Sequence, residues 1–302
     1  MTPRPTHVRI AAAQYPLDRY SSLSDYKTKL GRWSVDAANN GAELLVFPEC
    51  GAMEYASVSS AAANDLTRSL AAVSDAIAEM DVAHAAVARA HGVHLLAASG
   101  PCRLPDGRYV NRARLFTPSG QMGFQDKLIM TPFEHDWGIT PGAELAVFET
   151  TLGCIGIAIC YDSEFPLLVR ALCEAGAEII LIPSCTEFVS GFHRVRTAAM
   201  ARALENGCVT VQSSTVGDAA WSPAIDRNTG AAGIFMPAEI GLCETGVLAE
   251  GLLNHPQWVF ATVDLRALRH IRAAGEMRNT LDWHLQPGAQ PLEKHVRRIS
   301  LT

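Results

Sequence analysis

The chain has 302 residues, 48% of them hydrophobic and 19% charged, with a formal net charge of -6 and no long acidic run. Such a composition supports a sizeable core and excludes a disordered chain. No basic patch with interleaved aromatics argues for nucleic acid, and no stretch approaches the ~20 apolar residues of a membrane-spanning helix.

His7–Gln14 reads as a strand, too short and too broken by Arg9 to be a signal segment. Ser24 is read as the N-cap of a helix that places Tyr26, Leu30, Trp33 and Ala37 on one face, with Asn40-Gly41 as its stop. Glu43–Phe47 is a compact strand ending in Pro48-Glu49. The alanine-rich stretch Asp65–Ala90 is helical, in one or two pieces, and stops at Gly92. Strands follow at Val93–Ser99, Tyr109–Phe116 and Gln121–Gln125, with Pro118-Ser119-Gly120 turning the last two into a hairpin. Val147–Thr150 and Cys154–Cys160 form a second hairpin around Leu152-Gly153.

Helix Pro166–Glu174, strand Glu178–Ile182, helix Val195–Glu205 and strand Cys208–Gln212 come next. A looser, glycine-rich part, Val216–Gly251, precedes strand Trp258–Val263 and helix Leu265–Ala273. The remainder reads as a tail, its basic cluster Lys294–Arg298 solvated. Hairpins mixed with strand–helix units predict an α/β chain of mixed sheets covered by helices, without a linker to divide it.

The eight cysteines (50, 102, 154, 160, 173, 185, 208 and 243) form no Cys-x-x-Cys pair and read as reduced thiols of a cytoplasmic protein. Each is by default a small buried hydrophobe. Cys160 differs in its surroundings. It closes an apolar strand whose Cys154, Gly156, Ala158 and Cys160 share one face, and Pro166 forces a turn and a new helix soon after. Strand, turn and helix lift a nucleophile out of a sheet, and the helix dipole and free N–H groups there favour a thiolate and an oxyanion.

A cysteine–histidine pair would need His135 or His193 beside Cys160, and neither has a signature around it. His91 and His94 straddle Gly92 and read as surface or satisfied histidines. No tight His/Cys/Asp/Glu grouping suggests a metal, so neither metal nor cofactor is expected. Two other strand ends carry charge after apolar runs: Glu49 behind Phe47-Pro48, and Lys127 in Gln125-Asp126-Lys127-Leu128.

These segments, Phe47-Pro48-Glu49, Asp126-Lys127-Leu128 and Gly156-Ile157-Ala158-Ile159-Cys160-Tyr161-Asp162, resemble the nitrilase superfamily of carbon–nitrogen hydrolases in order and placement. Ala11-Ala12-Ala13-Gln14, Pro141-Gly142 and Ala201–Asn206 extend the resemblance to about Val263. It implies a four-layer α-β-β-α sandwich with two mixed sheets. The hydrolase domain would span residues 1–275, with a tail, 276–302, that crosses to a partner subunit. It implies Glu49 as general base, Lys127 as electrostatic stabiliser, Cys160 as nucleophile and the Tyr161 N–H in the oxyanion hole.

Several branches place a second glutamate where Glu134 stands, to position substrate and lysine; the alternative is a surface carboxylate on a loop. Tyr55, Trp137 and Cys185 are candidate pocket walls; aromatics beside a motif are more often packing, and Cys185 also reads as a buried structural thiol. Tyr161-Asp162 after the nucleophile looks more like the amidase, carbamoylase and omega-amidase branches than the Trp-Glu of nitrilases. The implied activity is hydrolysis of a small amide or N-carbamoyl compound through a thioester. Rival readings are a nitrilase, acyl transfer to an amine, and a non-catalytic binding protein of the same fold. Homodimers are implied through helices Pro166–Glu174 and Val195–Glu205, whose apolar residues also suit internal packing.

Overall fold

The computed structural model describes residues 5–289 and 296–301. Its strands are β1 (His7–Pro16), β2 (Leu44–Val46), β3 (His94–Arg103), β4 (Tyr109–Phe116), β5 (Met122–Asp126), β6 (Leu145–Thr150) and β7 (Gly153–Ile157). They continue as β8 (Ile179–Ser184), β9 (Val209–Asp218), β10 (Arg227–Asn228), β11 (Gly233–Phe235), β12 (Val247–Glu250), β13 (Gln257–Asp264) and β14 (Val296–Ser300). The helices are α1 (Leu23–Asn39), α2 (Ser60–Ala63), α3 (Leu66–His91), α4 (Pro132–Asp136), α5 (Pro166–Glu174), α6 (Val189–Asn206), α7 (Leu265–Ala274) and α8 (Asn279–Asp282).

One half of the strand path runs β1-β2-β3-β4-β5, parallel as far as β3 and antiparallel after it, with β13 antiparallel to β1. The other runs β9-β8-β7 in parallel, then β6 antiparallel and β14 parallel to it. The mixed character matches the expectation. The two halves are nonetheless continuous, because Gln14–Pro16 of β1 pair with Ser214–Val216 of β9.

Alternation along the strands explains how the first half is covered on both faces. Val8, Ile10, Ala12, Leu44, Val46 and Leu96 join the core shared with the second half, while Ala11, Ala13, Tyr15, Leu45 and Leu95 pack toward α1 and α3. Val169, Ala171 and Leu172 of α5 and Val195, Ala199 and Ala203 of α6 bury against the second half. The apolar residues of these two helices therefore go largely to internal packing, although Leu167 of α5 and Val189 and Leu204 of α6 stay exposed.

Several boundaries differ from the sequence reading. The N-cap of α1 is Ser22, whose side chain accepts from the Asp25 N–H, and Ser24 lies inside the first turn. The helix after Asp65 is one piece, capped by Gly92 in the left-handed conformation. Helix α6 starts six residues earlier than its apolar periodicity indicates, at Val189. The glycine-rich part contains β10, β11 and β12, and the tail ends in β14, beside β6. Arg297 and Arg298 of the basic cluster sit on β14, paired with Glu144 and Glu149; Lys294 and His295 lie outside the described residues.

A buried ion pair anchors the 3-10 turn Gly51–Val58 that follows Glu49. Lys29 of α1 donates to Glu54 Oε2 at 2.8 Å and to the Pro16 carbonyl, and Tyr15 Oη donates to Glu54 Oε1 at 2.7 Å. Glu54 is wholly buried and Lys29 is 4% exposed. Removing Glu54 leaves the buried Lys29 ammonium with only the half-exposed Asp18 carboxylate, at 3.0 Å. Glu54→Ala is expected to lower unfolding free energy by about 3–5 kcal/mol in denaturant melts; a loss below about 1 kcal/mol would contradict this role.

Candidate active site

Three charged or thiol side chains leave three different strands just beyond their C-terminal ends. Glu49 follows β2, Lys127 directly follows β5, and Cys160 follows β7. The chain beyond β2 stays in register, since the Phe47 N–H donates to the Leu96 carbonyl and the Ser99 N–H to the Pro48 carbonyl. Lys127 is held by its own backbone: its N–H donates to the Asn111 carbonyl at 2.9 Å and its carbonyl accepts from Gly142 at 2.8 Å. A Cβ on Gly142 would lie 2.6 Å from Asp126 Cβ, which explains glycine after Pro141.

Strand β7 ends at Ile157, and Cys160 opens a 3-10 turn, Cys160–Glu164, with φ at 47°. The sequence reading carried the strand through Cys160. A non-glycine residue in the left-handed region is uncommon and is held by its surroundings. Ser163 Oγ donates to the Cys160 carbonyl at 2.7 Å, and Arg202 of α6 donates to the Ser163 carbonyl at 3.1 Å. The segment Ala201–Asn206 thus supports the Cys160 turn. Helix α5 begins only after this turn, so its N-terminus is not the immediate neighbour of the thiol.

The side chains converge. Lys127 Nζ donates to Glu49 Oε1 at 2.7 Å and to Glu134 Oε2 at 2.5 Å, and all three residues are buried. Glu134 is not a surface carboxylate. Thr131 caps α4 and donates to Glu134 Oε2 through both its N–H and its hydroxyl, each at 3.0 Å. Glu49 Oε2 accepts the Cys185 N–H at 3.0 Å, and the Cys185 carbonyl faces Cys160 Sγ at 3.9 Å. Cys185, just beyond β8, enters the site through its backbone, while its thiol turns to Asn228 Oδ1 at 3.3 Å.

The two glutamates differ electrically. Burial raises Glu49 above the ordinary carboxylate range, with Lys127 pulling it down and Glu134 pushing it up. Burial also works against the charge on Glu134, yet Lys127, Asn111 and the Thr131 N–H outweigh it and hold that carboxyl low. Titratable groups pushed apart in this way are suited to different tasks. Lys127 loses to burial but gains more from the two carboxylates, so it stays an ammonium.

Cys160 corrects the expectation of a thiolate. Burial first, then the nearby Glu49 carboxylate, push its thiol well up, and Lys127 offsets this only in part. The resting pair is a thiol beside a base.

Asp162, two residues after Cys160, is 3% exposed and accepts the N–H groups of Leu128 and Ile129, the latter at 2.8 Å. It joins the Cys160 turn to the Lys127 segment, and burial pushes its carboxyl up to about 7.

Other candidates fall on either side. Trp137 lines a cavity with Cys50, Met53, Asn111, Glu134 and Ile139, next to the paired carboxylates. Tyr55 does not join them; its ring stands edge-on to Tyr26 of α1, 6.2 Å between centroids, in the helical layer. The Tyr161 ring packs edge-on to Phe165 with Arg194 over it. His135 and His193 are both exposed, on α4 and α6, so no imidazole of theirs activates the buried thiol. His91 is exposed, and buried His94 is 3.3 Å from the Thr151 hydroxyl. Among the described residues no group of three or more His, Cys, Asp or Glu is placed to hold a metal ion, and no helix is long and apolar enough to cross a membrane.

Residues 9–241 match the family model for carbon–nitrogen hydrolases. The chain belongs to that family. A probable hydrolase of Bacillus subtilis, YhcX, is 33% identical over 92% of this chain, which spans 55% of that relative's length. An omega-amidase of Xenopus laevis is 24% identical over 65% of the chain and 70% of its own length.

Among solved structures, a carbon–nitrogen hydrolase from Helicobacter pylori superposes with a TM-score of 0.73 at 19% identity, covering 93% of this chain and 99% of that one. The amidase from Nesterenkonia sp. AN1 in complex with acrylamide gives 0.69 at 21% identity, covering 95% and 100%. At such identities these likenesses establish the fold, a mixed α/β arrangement like that of the nitrilase superfamily. The chain is thus a member of the carbon–nitrogen hydrolase family with relatives named as amidases.

Proposed function

We propose that the chain hydrolyses the carbon–nitrogen bond of a small amide or N-carbamoyl compound through a thioester on Cys160. The observation that carries this reading is one buried ammonium, Lys127, bonded to both Glu49 and Glu134. It lies where Cys160 is held in a left-handed turn beside the base. Glu49 takes the thiol proton as Sγ attacks the amide carbon. The oxygen that gains charge is held by Lys127 and the Tyr161 N–H, one of the first-turn N–H groups that lack a helical acceptor. Collapse breaks the carbon–nitrogen bond, and Glu49 returns the proton to the departing ammonia or amine. Water, deprotonated by the same carboxylate, then cleaves the thioester to the acid and frees the thiol. Glu134, kept ionised, holds Lys127 throughout.

The test is ammonia or amine release from a panel of small amides, N-carbamoyl amino acids and nitriles. Turnover of amides or carbamoyl compounds is expected. Turnover of nitriles alone, or of none of these, would overturn the reading.

A pH dependence follows from the two carboxyls. Glu49 must be ionised to act as base, so kcat/KM should fall as pH drops through its raised value. The acid limb should therefore lie above the ordinary glutamate range, with Glu134 giving no limb there. A limb within or below that range would remove Glu49 from the role.

A further inference from the structure

Asn111 sits in the middle of β4, where an amide side chain reads as one more cross-strand polar group. Its placement says otherwise. It is 3% exposed, and its single side-chain nitrogen donates to Glu49 Oε1 at 3.0 Å and to Glu134 Oε1 at 2.9 Å. One amide hydrogen goes to each carboxylate. Its carbonyl oxygen Oδ1 is buried and has no hydrogen-bond partner. An unsatisfied buried acceptor costs free energy, so the side chain is oriented by what its nitrogen does. The reverse orientation would aim a lone-pair oxygen at two carboxylates.

With Lys127, Asn111 closes a ring in which each carboxylate receives one hydrogen from a cation and one from a neutral amide. The backbone carbonyl of the same residue also accepts the Lys127 N–H. A second cation at this position would quench the basicity of Glu49. A carboxylate would repel both neighbours. A neutral double donor does neither.

We infer that Asn111 is a positioning residue for the hydrolytic reaction, locking the Glu49 and Glu134 carboxylates on either side of Lys127 so that Glu49 faces the thiol. This inference rests on the amidase reading above. The ionisable groups acting on Glu49 are Lys127 after β5, Glu134 on α4 and Cys160 on its 3-10 turn, with the Cys50 thiol at the start of the next turn. Asn111 adds a hydrogen bond that favours the charged form of Glu49, so its loss should move the Glu49 limb to higher pH.

The test uses the full chain with Asn111→Ala and the near-isosteric Asn111→Asp, which guards against a packing failure. Two readouts are taken across a pH series that covers the ordinary glutamate range and extends well above it: kcat and KM on the best amide of the panel, and alkylation of Cys160 by iodoacetamide, followed by peptide mass. Both variants should lose at least ~10-fold in kcat with KM changed less than ~3-fold. The acid limb of alkylation should move up by at least ~0.5 pH unit, further in Asn111→Asp, where a third carboxylate joins the group. If wild type turns over no amide but the alkylation limb moves, the inference stands and the amidase reading falls. An unmoved limb in both variants, whatever the change in activity, would reduce Asn111 to a structural residue and overturn the inference.

Discussion

Replacing Cys160 by alanine is expected to lower amide turnover by about 10⁴- to 10⁶-fold while leaving the fold intact. In the proposed mechanism the thiol supplies the attacking atom, and neither the Glu49–Lys127 pair nor the backbone at Tyr161 can substitute for it. Little stability should go with it. Sγ faces the Cys185 carbonyl at 3.9 Å and the Glu49 carboxylate, and its proton is held by burial and by Glu49 and not by an ion pair. Removing the sulfur takes from Glu49 a hydrogen-bond partner that favours the charged carboxylate, a small change beside its Lys127 pair. Thermal unfolding of Cys160→Ala within about 1 kcal/mol of wild type, alongside lost activity, would separate chemistry from folding. Residual turnover within tenfold of wild type would exclude Cys160 as nucleophile.

Lys127→Met should damage both stability and turnover. The ammonium is 1% exposed between two carboxylates at 2.7 and 2.5 Å. Without it Glu49 and Glu134 face each other in a buried site, and one must take up a proton. Glu49 is the one already pushed upward, whereas Thr131 and Asn111 still hold Glu134 ionised. The proposed base is therefore lost together with the proposed oxyanion partner. Loss of one oxyanion donor costs about 10²–10³-fold and loss of a general base about 10²–10⁴-fold. A fall beyond ~10³-fold is expected, with about 3–5 kcal/mol of stability.

The double variant Lys127→Met/Glu134→Gln should recover part of the stability and none of the activity. No recovery at all would mean that the carboxylates are not what destabilises the single variant.

How much of this could be read from residues depends on what each position shows in a linear pattern. Glu49 and Lys127 were legible because a charge directly after an apolar strand is conspicuous, and their segments arrive in a recognisable order. Cys160 was legible by its company but not by its conformation. Ala158 and Ile159 continue the apolar run of β7, so nothing in the pattern shows that the ladder stops at Ile157 or that Cys160 turns left-handed.

Asn111 was missed because its signal is two carboxylates brought from 62 and 23 residues away. Asp162 lay within a quoted motif without a role, since the backbone N–H groups it accepts come from another segment. Of the two readings for Tyr55 the geometry favours packing, because a 3-10 turn, Gly51–Val58, turns its ring toward α1. Strand β14 was read as tail because Arg297 and Arg298 break its apolar pattern, as charged residues often do on an edge strand.

The central claim is a covalent intermediate on Cys160, formed by a thiol that Glu49 deprotonates at the moment of attack. Its most direct test is the mass of the Cys160 peptide after rapid acid quench during turnover of the best amide of the panel. The account predicts an added acyl group on that peptide, absent from Cys160→Ala and from the peptides carrying Cys50 and Cys185. Acid product accumulating over many turnovers with no acyl mass on Cys160, even in the pre-steady-state burst, would contradict it.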